Sequence, residues 1–299
     1  MLEAVAEHYR TRQRLSVATV ALLHSLWSQM TDDLDGSWAA ISARAVLVLQ
    51  AGQVAVAKDS ARFVPDALSE QGIDTDPVAN VDPTAFAVSW PLVGGQTGSL
   101  DDLLYGSVIA AKQAQVNSLP ARLAVGRSWL DTVAVTQLSD TGRQVVGVSV
   151  AATPRTGWVR MVNPPCCQRC AVLAGRFYRW SSGFKRHPHC DCSMTPSTEA
   201  DSGKVAQRIG PGDVKDLTDA QRSAIADGAD MNQVINATRG RSVRSLATTE
   251  GTTKRGTARA AMRRAAGTRG PRLTPEAIYK VAATRDEAVK LLKAYGYIF

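Results

Sequence analysis

All five cysteines and two of the four histidines of this chain fall in one short window. It reads Cys166-Cys167-Gln168-Arg169-Cys170 and then, after a gap, His187-Pro188-His189-Cys190-Asp191-Cys192. Two clusters of soft ligands separated by about twenty residues fit a closed, tetrahedral zinc site. Cys167-x-x-Cys170 is a knuckle whose two thiolates reach one metal, and His187-x-x-Cys190 repeats the gap. The window holds more donors than four positions need. The spacing predicts Cys167, Cys170 and Cys190 as ligands, completed by either His187 or Cys192, with Cys166 and His189 outside. A reduced cluster that only packs, and a set of redox disulfides, are the competing readings. An odd number of cysteines suits a disulfide framework badly, and close spacing in a reducing compartment favours metal. The zinc is expected to be structural. Thiolate-rich sites are closed, no His-x-Glu of a zinc deaminase accompanies this one, and no HExxH helix is present.

The elements that must position the window change in texture along the chain. Residues 1–141 read as a helical domain. Apolar side chains from Val5 to Met30 recur at three-to-four spacing, and a second Ala-rich helix runs from Trp38 to about Arg62, with Pro65 marking its end. Ser99-Leu-Asp-Asp102 caps a third helix expected to reach about Leu119, and another follows Pro120. Gln144–Ala152, Gly157–Asn163 and Arg176–Trp180 carry β-branched or aromatic runs and read as short strands. Residues 142–197 therefore parse as a small β-rich module stapled by zinc. Short helices are expected over 198–238, a flexible basic arm over 239–272, and C-terminal helices over 273–299. Thr274-Pro275 and the Thr284/Glu287 capping box open those last helices. The fold class is α+β: a mainly helical N-terminal region, a small β-rich zinc-binding module, and a basic arm with short C-terminal helices.

Composition bounds the partners. At 44% hydrophobic and 21% charged residues the chain is globular, and no stretch has the ~18 uninterrupted apolar residues of a membrane span. Met1-Leu2-Glu3-Ala4 shows no secretory signal, and no membrane partner is expected. The net charge of +8 and pI near 9.4 favour an anionic partner. Between Arg239 and Arg272 the only acid is Glu250. Arg255, Arg259, Arg263, Arg264 and Arg269 of that arm are the candidate contacts to nucleic-acid phosphates, with a solvated linker or an acidic protein surface as the alternative. No aromatic interleaves with these arginines, so base stacking is not expected.

Trp158-Val-Arg-Met-Val, Cys167-x-x-Cys170-Ala-Val-Leu-Ala-Gly175-Arg-Phe-Tyr and Arg186-His-Pro-x-Cys-Asp-Cys192 together resemble the Mu F-like minor head proteins of tailed phages. The likeness is greatest to the actinobacteriophage type often labelled minor capsid protein or capsid maturation protease. It rests on residues 158–192; the rest of the chain fits in outline, and Cys166 is extra. The resemblance implies a virion protein made in few copies, associated with the portal and the capsid interior and assembled in the host cytoplasm. Portal, capsid or scaffold proteins would be its partners, with double-stranded DNA as a partner of the basic arm. It implies roles in head assembly and in DNA packaging or ejection. A zinc-containing nucleic-acid-binding protein acting outside the virion is the further alternative.

The protease label needs a nucleophile and a base. Outside the window only His8 and His24 remain, both in the first predicted helix, and there is no GxSxG. No catalytic residue is assigned. Gly94-Gly95-Gln-Thr-Gly98 lacks the lysine of a phosphate loop. Trp27, Trp38, Trp90 and Trp129 are expected in the core.

Overall fold

The computed structural model describes residues 2–86, 98–187, 190–239, 246–253, 256–266 and 270–299, without the side chains of 86, 265 and 266. Trp90 and most of the 94–98 glycine segment lie outside those residues. The chain divides into two compact units, Met1–Met161 with Gly175–Gln207, and Val162–Ala174 with Arg208–Phe299.

The first unit is built on four helices, α1 (Glu3–Trp27), α2 (Leu34–Glu70), α3 (Leu100–Gln113) and α4 (Leu119–Ala152). Each of the last three starts on a side chain that accepts a backbone N–H, from Asp33, Ser99 and Ser118 respectively. Their inward faces pack Leu23, Trp27, Trp38, Ile41, Leu104 and Leu130 into one core. Contact between α3 and α4 is close at Gly126, where an added Cβ would lie 2.6 Å from the Trp27 ring and 2.7 Å from the Ser107 carbonyl. Trp129, expected in the core, is instead 46% exposed. Two expectations for these helices are corrected. Pro65 does not end α2, which runs on to Glu70. Phe63, Val64, Ala67 and Leu68 are all buried around it, and that packing outweighs the lost N–H bond of a helical proline. The segment Gln144–Ala152 is not a strand; it is the end of α4. Its Val146 and Val150, one turn apart, face the same cluster as Trp158 and Met194, so tertiary burial overrides β propensity.

By length and hydropathy α2 alone among the described helices could cross a membrane. Its buried stripe packs against α1, α3 and α4, as in a bundle's core helix.

An antiparallel sheet completes this unit: β1 (Thr156–Met161) lies between β2, Phe177–Arg179, and β3, Ser193–Thr198. All six residues of β1 are buried. Trp158 pairs with Tyr178 on one side and Pro196 on the other, and its ring stacks on that of Tyr178 at 4.3 Å. Gln71 ties α2 to β3, donating to the Pro196 carbonyl at 2.9 Å and accepting from Ser197 Oγ at 2.8 Å. Short helix α6 (Ser202–Val205) follows β3, while α5 (Gln168–Ala171) precedes β2 and belongs to the second unit.

In the second unit α7 (Asp219–Ala226), α8 (Met231–Ala237), α10 (Pro275–Val281) and α11 (Arg285–Ala294) enclose Val234, Ile278, Leu292 and Tyr297. Thr274 and Thr284 cap α10 and α11, accepting from Ala277 and Glu287 N–H, as their sequences predict. The stretch read as a flexible arm is folded over much of its described length. It contains β4 (Ala247–Thr248), α9 (Thr257–Ala266) and the start of β5 (Arg272–Leu273), with β4 and β5 paired.

Candidate metal centre

The His187–Cys192 segment runs into β3, and its position is set by two buried arginines. Arg143 of α4 donates from Nε to the Cys192 carbonyl at 2.9 Å and from a terminal nitrogen to the Cys190 carbonyl. Arg160 of β1 donates to the Lys185 carbonyl at 2.8 Å and lies 3.7 Å from Cys190 Sγ. Both guanidiniums sit over the Phe184 ring, at 4.8 and 4.2 Å from its centroid. Asp140, one turn before Arg143, accepts from it at 2.8 Å and is gripped from the other side by Arg186. The planar fork of Arg143 thus fixes the backbone on either side of Asp191.

The first knuckle lies in the connection from β1 to β2. Gly175, at φ +69°, donates to the Arg160 carbonyl at 2.8 Å, and Arg160 N–H donates to Arg176. A side chain at Gly175 would strike the Gln207 backbone. The knuckle itself is the single turn α5. Cys170 and Ala171 N–H both donate to the Cys167 carbonyl at 3.0 Å, which puts the two thiols on one side of the turn. Gln168 holds it down, with its N–H on Asp216 at 2.9 Å and its side chain on Gln221 at 3.0 Å. Cys166 exchanges backbone hydrogen bonds with Asp213 and Lys215. Burial, and then the neighbouring Cys167, push the Cys166 thiol up to about 11, so it stays protonated.

Ligand atoms of Cys170, Cys190 and Cys192 lie within 4.8 Å of one another, as do those of Cys167, Cys170 and His187. Each is a candidate metal-binding group, and Cys170 belongs to both. Every residue predicted as a ligand is in one of them; Cys166 is in neither, and His189 lies outside the described residues. No disulfide joins the five cysteines. Thiolates at about 2.3 Å around tetrahedral zinc stand about 3.8 Å apart, and these separations accommodate that geometry. The donors fit zinc: thiols and one imidazole, with no carboxylate, and Cys170, Cys190 and Cys192 buried. Chemically, such a set crosslinks chain segments.

Arg143, Arg160 and Phe184 are the supporting residues that sequence reasoning missed. An apolar strand interrupted by Arg160, and the i,i+3 pair Asp140/Arg143, were the available signals.

The arginines read as phosphate contacts fare unevenly. Arg263 and Arg264 are exposed on α9, Arg259 is half-buried, and Arg255 and Arg269 lie outside the described residues. Ala258, Ala261 and Met262 form the inward face of that helix. Arg272, counted in the arm, is a core residue: its guanidinium lies 4.2 Å from the centroid of Tyr297 and reaches the Gly296 and Gln233 carbonyls. From Arg208 to Phe299 there are seventeen Lys and Arg against nine Asp and Glu, an excess of eight that equals the whole chain's net charge.

The two other histidines are each paired with an aspartate, His8 with Asp59 at 2.6 Å and His24 with Asp131 at 2.5 Å. Among the described residues no hydroxyl or thiol is hydrogen-bonded to either ring. Comparison with protein-family models, with curated proteins and with solved structures finds no match.

Proposed function

We propose that this chain is a minor head protein of a tailed phage, associated with the portal and the capsid interior, whose cysteine window holds one structural zinc. The observation that carries this is the gathering of Cys167, Cys170, His187, Cys190 and Cys192 into two ligand groups sharing Cys170. Those are the residues on which the resemblance to Mu F-like head proteins rests. Zinc would supply a crosslink between loops too short to hold each other by apolar burial. The concentration of positive charge after Arg208, with Arg263 and Arg264 exposed on α9, supports contact with double-stranded DNA during packaging or ejection. A structural role is preferred to capsid maturation protease because, among the described residues, neither His–Asp pair has a nucleophile bonded to it.

Two experiments test the reading. Reductively purified protein should hold about one zinc per chain, and Cys170→Ala should lose it; metal-free protein that folds normally sinks the zinc proposal. Incubation with the cognate capsid and scaffold proteins should produce no cleavage. Cleavage abolished by a single Ser or Cys substitution would establish the protease instead.

A further inference from the structure

The four-helix unit contains a half-open cleft of about 420 Å³, lined mainly by α1 and α4. Arg12 lines it and is only 7% exposed. A guanidinium carries five donors. Among the described residues this one makes a single hydrogen bond, 3.4 Å to Ser139 Oγ, and no carboxylate comes within ion-pair distance. Asp59 and Asp191 act on it only through space, and Arg143 repels it. Burial lowers its pKa to about 10, so it remains a cation at neutral pH. Donors that no protein atom takes are open to the cleft, where an anion would offset the cost of holding the cation there.

The rest of the lining describes the body of that anion. Val17, 67% exposed, stands in the lining with Val20 and Val135, which are half-buried. Arg12 is the one fixed cation there. His24 also borders the cleft, but its Nε2 is already bonded to Asp131. Asp191 in the same lining would oppose a dianion. One planar guanidinium, no second cation and a hydrocarbon wall select a carboxylate over a phosphate.

We infer that this cleft is a binding site for an aliphatic carboxylate, its head group on Arg12 and its hydrocarbon against Val17, Val20 and Val135. The site is separate from the cysteine window and is independent of the proposed role in the phage head.

The test is calorimetric titration of the full chain with octanoate, beside octan-1-ol and octylammonium as partners of equal length. Octanoate should bind saturably, and the other two at least about tenfold more weakly, because each lacks the charge-assisted pair with Arg12. Arg12→Met should abolish the preference for octanoate over octanol. Should that variant fail to fold, Val17→Asp serves, since it changes an exposed position and sets a like charge beside the ligand; octanoate should then bind at least about tenfold more weakly. Equal binding of octanoate and octanol, no octanoate binding, or unchanged affinity in Val17→Asp would each overturn the inference.

Discussion

Arg143→Met is the sharpest probe of how the second knuckle is held. Methionine keeps much of the side chain's length and its contact with Phe184 but removes the charge and all five donors. Two buried carbonyls, those of Cys190 and Cys192, then lose their donor, at about 1–3 kcal/mol each. Asp140 loses one of its two cations and keeps Arg186. Taken together the loss should be about 3–5 kcal/mol, the range for breaking one side of a buried ion pair. A unit of this size shifts by about 2–4 °C per kcal/mol, so its thermal midpoint should fall by roughly 6–20 °C. Zinc affinity, followed by competition with a chromogenic chelator, should drop about 10–100-fold, as when an outer-shell partner of a metal ligand is removed. Arg143→Lys restores charge without the fork and should recover only part of either effect. A melting curve within about 1 °C of the parent, together with unchanged zinc competition, would show that the carbonyl grip does not orient the ligands.

Other expectations can be checked alongside. Burial holds the His8 pKa below its ordinary value of 6.5, with the bond to Asp59 opposing; the folded state therefore resists protonation. Stability from this group is full above the unfolded value and is lost as pH falls from 6.5 through the folded one. Urea denaturation should show that decline in the parent and a shallower one in His8→Gln; parallel slopes would remove His8 as the cause. Gly126→Ala should cost about 1–3 kcal/mol, since its new methyl group meets the Trp27 ring and the Ser107 carbonyl; an unchanged denaturation midpoint contradicts that packing. If α9 contacts DNA phosphates, affinity should fall steeply with salt, and Arg263→Ala should lower the salt slope by about one. Identical slopes for parent and variant would place the contact elsewhere.

The helices were legible wherever a cap coincided with an amphipathic run, as at Ser99, Thr274 and Thr284. They were illegible where burial contradicted local preference. Pro65 looked like a stop and Gln144–Ala152 like a strand, yet both lie in helices whose inward faces are covered. β3 was missed because Ser193-Met-Thr-Pro-Ser-Thr198 is a polar run without apolar alternation. Its pairing with β1 and its tie to Gln71 make it a strand. Arg272 shows the same limit. Its charge placed it in a solvated arm, and the Tyr297 ring with two carbonyls placed it in a core.

The cysteine window divides along the same line. Residue type and spacing alone determined which side chains could hold a metal, because knuckle geometry is local: a single turn sets Cys167 beside Cys170. Spacing also set Cys166 aside, but only the tertiary structure decided that Cys170 is shared by two ligand groups. It also decided that Arg143 and Arg160, distant in sequence from each other and from most of the window, bear on its backbone and on Cys190 Sγ. Such support depends on which helix and strand lie against the loop, and no periodicity in the chain encodes that neighbour.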